Sequence, residues 1–154
     1  MKKIILLLLL ASVGTMACKK EKKGSLRTDK PIGEAIIGPW YTTSETHDYF
    51  NAGNEKIFSR TVEPGWEYSI ASVLKITSPQ GQRTLSTDYE VTNSNNKNHF
   101  TYVNNGVTET FEITALEQET MSWRQEKANS KYEDSGEKTA AKEIITINFH
   151  CPCK

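Results

Sequence analysis

Long apolar stretches are scarce in this chain. The longest, residues 4–10, has seven residues, whereas a membrane-spanning helix needs about 20. Charge of one sign is not in excess either, since 19 basic side chains stand against 19 acidic ones. A nucleic-acid partner calls for a basic face, so that class of partner is set aside. The chain has no glycine-rich phosphate loop, no HExxH and no Gly-x-Ser-x-Gly. The short signatures of nucleotide binding, zinc proteolysis and serine hydrolysis are therefore missing. The three histidines, His47, His99 and His150, stand at no recognisable catalytic spacing from a serine, a cysteine or a carboxylate. They read as surface residues. Asp48 beside His47 adds little, because strand neighbours point to opposite faces. Helical periodicity is confined to a short segment at 32–37. The chain reads as non-enzymatic, with no cofactor expected.

What is present begins at the amino terminus. Lys2 and Lys3 precede the apolar run, and small residues follow it up to Cys18. That order of charge, apolar core and small residues marks a secretory signal peptide. The run Gly14-Thr15-Met16-Ala17-Cys18 resembles the end of a bacterial lipoprotein signal, with small Ala17 just before the cysteine. Thr15 departs from the usual leucine. The resemblance implies removal of residues 1–17, a diacylglyceryl group on the Cys18 sulfur and acylation of the new amino terminus. The implied protein is a palmitate-bearing lipoprotein of the Bacteroidota type. Its partner is the membrane, through the anchor, and its place is the cell envelope at the outer membrane. Either face of that membrane remains open.

Residues 18–31 read as a basic tether with six basic and two acidic side chains. It has nothing to bury and stays solvated. Two readings apply: attraction to anionic lipid heads, or a plain soluble spacer. Beyond it, residues 32–154 carry 11 basic and 17 acidic side chains. Their length suits a single domain with one core.

That domain is patterned as short strands. Eight are expected, at 40–49, 55–62, 66–77, 83–91, 99–104, 107–114, 119–126 and 143–150. Threonine, valine, isoleucine and aromatics fill them. Phe111 and Ile113 share one face, as do Met121 and Trp123, and also Ile145, Ile147 and Phe149. Glu63-Pro64-Gly65, Ser78-Pro79-Gln80-Gly81 and Asn105-Gly106 carry turn chemistry, so three hairpins are expected there. Residues 93–98 read as a polar loop. Residues 127–142, charged and small, read as a long mobile hairpin tip. The pattern predicts an all-β fold, an antiparallel up-and-down barrel of about eight strands, with a β-sandwich as the alternative.

Ile36-Ile37-Gly38-Pro39-Trp40 precedes the first strand. A Gly-x-Trp at that place resembles the opening of lipocalins. A second likeness, to lipocalin-like domains of Bacteroidota lipoproteins, lies in Phe111-Glu112-Ile113-Thr114-Ala115-Leu116 through Met121-Ser122-Trp123. The resemblance implies a helical turn at 32–37 and a tryptophan, Trp40, plugging one end of the barrel. Lipocalins often lay a late-strand arginine over that tryptophan. Arg124 is the only late-strand arginine, one strand earlier than the family pattern.

Six residues are candidates for the barrel interior: Trp40, Phe100, Tyr102, Phe111, Met121 and Trp123. They either fill it or line one small cavity. In the second case a small apolar ligand is expected in the barrel mouth, held by burial and one or two polar contacts. In the first the chain is an interaction or structural module, with a protein partner docking on its loops.

The end of the chain, His150-Cys151-Pro152-Cys153-Lys154, offers a third reading. Two thiols and an imidazole suit a soft metal, yet a structural zinc site needs four ligands. An oxidising envelope favours a Cys151–Cys153 disulfide. Residues i and i+2 of a straight strand lie ~6.6 Å apart, near the limit for a bridge, and Pro152 bends the chain there. Free or intermolecular thiols, and a metal or redox role for His150, Cys151 and Cys153, are the alternatives.

Overall fold

The structure, a computed structural model, describes residues 30–152. A single helical turn, α1 (Ile32–Ala35), leads into β1 (Gly38–Phe50). Then follow β2 (Lys56–Val62), β3 (Glu67–Ile70), β4 (Leu74–Thr77), β5 (Thr84–Thr87) and β6 (Tyr89–Ser94). The chain continues through β7 (Lys97–Asn104), β8 (Val107–Leu116), β9 (Thr120–Glu133) and β10 (Glu137–His150). No helix among the described residues is long and apolar enough to cross a membrane.

The strands form one antiparallel sheet in the order β5-β4-β3-β1-β10-β9-β8-β7-β6, with β2 also paired to β1. The sheet curls into a nearly closed barrel of nine strands. Strands β5 and β6 end the path yet are consecutive in the chain, so Asp88 between them bridges the seam covalently. The Tyr89 hydroxyl adds a bond across the seam to the Ala71 carbonyl at 2.7 Å. The first strand closes on the last: β1 pairs with β10 from Tyr41–His150 to Phe50–Lys142. The all-β barrel is therefore as expected, and the single continuous sheet rules out the sandwich.

Strand number and punctuation differ from expectation in five places. Glu63-Pro64-Gly65 does not reverse the chain. Strands β2 and β3 both run antiparallel to β1, Glu45 facing Val62 and Tyr41 facing Glu67. They are two parts of one edge with a jog between. Thr42 holds the jog, its carbonyl accepting from Gly65 N–H and its hydroxyl from Trp66 N–H. The expected strand 66–77 is broken by a tight bend at Ala71, whose N–H bonds the Val73 carbonyl. The expected strand 83–91 is broken at Asp88. The expected loop 93–98 is a hairpin, turned by Asn95 and Asn96 at φ 52° and 60°. Asparagine tolerates that left-handed region better than most residues.

The largest correction concerns 127–142. Strands β9 and β10 run through it, each 14 residues long, and the tip is only Asp134-Ser135-Gly136. Polar side chains on both faces hid this hairpin. A hydrogen-bonded ladder running from His150–Thr120 to Glu137–Glu133 forms it. Tyr132 gives it an apolar foothold, with its ring 4.9 Å from Tyr49 and 5.0 Å from Phe58.

Two glycines are required by geometry. Gly106 has φ +81° beside Asn105 at +52°, the pair of positive values a two-residue hairpin needs. Gly38 has φ +142°, which lets the chain turn from α1 into β1. Trp40 then points into the barrel, is fully buried, and donates its indole N–H to the Ile36 carbonyl at 2.7 Å. Ala35 and Ile36 are buried beside it in the same core. Together they close this end of the barrel.

Candidate functional site

Inward rows change character along the barrel. On β1 the row runs Trp40, Thr42, then Glu45, His47 and Tyr49. On β10 it runs Phe149, Ile147, Ile145, then Glu143. On β9, Met121 and Trp123 give way to Gln125 and Lys127. Apolar residues fill the α1 end, and polar ones gather at the opposite mouth.

The filled end is an aromatic cluster around Trp123. Its ring lies 4.5 Å from Phe100, 4.8 Å from Phe149, and 5.6 Å from both Tyr68 and Phe111. Trp40, Phe100, Phe111, Met121 and Trp123 all belong to this buried core. Of the six interior candidates, Tyr102 lines a cavity. The indole N–H of Trp123 has no hydrogen-bond partner among the described residues, although the side chain is fully buried.

Above the cluster lies a solvent-open cavity of about 180 Å³, lined by Glu45, Val62, Trp66, Tyr68, Ile76, Arg83, Leu85, Tyr102 and Asn104. Tyr68 and Tyr102 form its aromatic floor and are joined through their hydroxyls. Burial pushes both phenols above their ordinary range; Tyr102 and then Glu45 and Glu109 add to it at Tyr68, and Glu109 and Glu45 add to it at Tyr102. Glu109 is itself held by Lys127 at 2.9 Å and by the Gln125 amide at 2.8 Å. The Gln125 carbonyl oxygen is buried with no partner among the described residues.

Beside the cavity, His47 is clamped between two carboxylates. Nδ1 lies 2.7 Å from Glu143 Oε1, and Nε2 lies 2.9 Å from Glu45 Oε1. Burial alone would lower the imidazole pKa, but bonds to Glu45 and Glu143 outweigh it and raise the value above 6.5. Glu143 shifts the other way. Its burial is overcome by bonds from His47, Ser130 and Tyr49, which lower it below 4.5. This buried clamp is a correction, because His47 reads as a surface residue from the sequence. The missed signal is Glu45-Thr46-His47: residues i and i+2 of a strand share a face. Glu143, far along the chain, joins them only through the β1–β10 pairing. A neighbouring recess of about 350 Å³ is walled by His47, Arg60, Lys127, Tyr132 and Glu143, among others.

Arg124 lies on β9 between buried Trp123 and Gln125, partly exposed and paired with Glu126 at 3.0 Å. It does not cover Trp40, which faces inward. At the carboxyl end His150 is exposed. Cys151 is buried, donates its N–H to the Glu119 carbonyl, and is disulfide-bonded. A sulfur in a disulfide is not a thiolate ligand. The expected pairing with Cys153 and the lipidation of Cys18 both lie outside the described residues. Among the described residues no group of histidine, cysteine and carboxylate side chains could hold a metal ion.

No family model matches the chain, and neither a curated protein nor a solved structure matches it.

Proposed function

We propose that this chain is a lipid-anchored envelope protein whose lipocalin-like barrel holds a small ligand at its mouth without catalysing a reaction. One observation carries the binding half. Beside the aromatic filling, a cavity of about 180 Å³ opens to solvent. A protein cavity of about 150 Å³ accommodates benzene, whereas sites for drug-sized ligands start at about 300 Å³. The site therefore suits one ring with a short arm and is too small for a fatty acid. The lining combines apolar walls with Glu45, Arg83 and Asn104, the few polar groups that fix a ligand's orientation.

Ligand-observed NMR against a library of single-ring compounds tests this. Saturation transfer from the barrel to some members is expected, and it should be lost in Tyr102→Trp, which fills the cavity. Transfer to no member, or transfer that survives Tyr102→Trp unchanged, would overturn the reading.

The anchoring half rests on the lipoprotein-like end of the first segment, Ala17-Cys18. Lys30 lies beside α1 and lines a groove there with Ile32 and Leu116. The tether thus joins the domain at the α1 end, opposite the mouth. The 13 residues from Cys18 to Lys30 reach at most about 45 Å. In cells fed labelled palmitate the chain is expected to incorporate label and to fractionate with membranes. Cys18→Ala should abolish both; label retained in that variant would rule the anchor out.

A second reading, a docking module with a filled barrel, is favoured by the exposed Val103 and Val107 on the β7–β8 hairpin.

A further inference from the structure

Resting on the mouth as a binding site, we infer that its ligand is a small organic monocation: an ammonium on a short arm from one flat apolar ring. Three electron-rich rings, Trp66, Tyr68 and Tyr102, line the cavity together with one carboxylate, Glu45. An ammonium placed against such rings is attracted by their negative faces. A carboxylate alongside adds a charge-assisted hydrogen bond. Glu45 has an acceptor to offer: its Oε1 is taken by His47 Nε2 at 2.9 Å, and Oε2 has no hydrogen-bond partner among the described residues.

The local field agrees. At the floor, the carboxylates Glu45 and Glu109 both act on the Tyr68 and Tyr102 hydroxyls. The cations of the mouth are engaged or distant from the floor. Lys127 is paired with Glu109. His47 is shared by Glu45 and Glu143. Arg60 lines the neighbouring recess rather than this cavity. Arg83 does line the cavity, but its side chain is exposed. A positive rim above a negative floor disfavours a second positive charge, which selects a monoamine over a diamine. The apolar wall of Val62, Ile76 and Leu85 takes the ring.

The test is a set of isosteres titrated by calorimetry into the native chain: 2-phenylethylamine, 2-phenylethanol, 3-phenylpropionate and a diamine of matched length. The amine is expected to bind about tenfold tighter than the alcohol, with the carboxylate and the diamine weaker still. Glu45→Gln is expected to bring amine and alcohol within about twofold of each other. The ranking on the native chain is decisive by itself should that variant fail to fold. A carboxylate that binds best and is lost in Arg83→Gln would overturn the cation assignment and leave the mouth as the site. Equal binding of amine and alcohol would overturn it too. Absence of binding by these four and by every member of the single-ring library would remove the site itself.

Discussion

Trp40→Phe is expected to cost about 2–4 kcal/mol of folding stability, and Trp123→Phe about 0–1 kcal/mol. The two side chains are equally buried, each fully removed from solvent. The substitution is the same, and so is the ring area lost. The difference lies in the indole N–H. That of Trp40 donates to the Ile36 carbonyl at 2.7 Å. Phenylalanine there leaves a buried acceptor unpaired, which costs about 1–3 kcal/mol beyond the lost packing. The indole of Trp123 has no partner among the described residues, so its replacement removes an unpaired donor. That gain offsets much of the small void left behind. Trp123→Ala is the control for packing and should cost about 3–5 kcal/mol, because four aromatic rings lose their common neighbour. Urea midpoints at constant slope give all three values. Equal costs for the two phenylalanine variants would show that the hydrogen bond to Ile36 contributes little.

Much of this core was legible in the sequence. Period-two alternation assigned Phe111, Ile113, Met121 and Trp123 to one face each, and all four are buried. Asn105-Gly106 placed a hairpin correctly because a pair of residues tolerant of positive φ has few other uses. The failures share a physical cause as well. Glu63-Pro64-Gly65 has turn residues but jogs the chain along β1, and only the tertiary partner decides between a turn and a jog. The β9–β10 hairpin past residue 127 lacks apolar alternation, since backbone pairing and the Tyr49–Phe58–Tyr132 cluster hold it.

The mouth was the least legible part. Of the six interior candidates, Trp40, Phe100, Phe111, Met121 and Trp123 fill the other end, and Tyr102 alone of them lines the mouth cavity. Beside its apolar wall, the mouth carries charged and polar side chains whose inward direction follows from barrel closure rather than from their own chemistry. Glu45 and His47 share a strand face, which local pattern reveals. Glu143 reaches His47 because the first strand pairs with the last, 96 positions away in the chain. No local window contains that contact.

Glu143→Ala is expected to cost about 3 kcal/mol where the clamp is fully charged, and less on either side of that range. Glu143 is buried and accepts from His47, Tyr49 and Ser130. Its removal leaves three donors short of a partner and a protonated His47 with Glu45 alone. The pH window follows from the two shifts. Glu143 is held below its ordinary 4.5, so its contribution is complete above 4.5 and is lost as pH falls through the depressed value. His47 is held above its ordinary 6.5, so its contribution is complete below 6.5 and is lost as pH rises through the elevated value. The pair therefore stabilises the barrel most between 4.5 and 6.5. Arg60 opposes protonation of His47 from β2. It trims the alkaline side of the window without closing it, since the net shift is upward. In Glu143→Ala the imidazole keeps one carboxylate instead of two, and its pKa falls. The alkaline loss of stability is then smaller and begins at lower pH. Urea midpoints of the native chain and the variant, taken across the range from about pH 4 to 9, should differ most in the middle and by less at both ends. Glu143→Gln separates charge from shape. It keeps an acceptor for the histidine, so it should approach the native stability near pH 9 and fall short of it between 4.5 and 6.5. A constant gap at every pH would mean that His47 stays neutral between its two carboxylates.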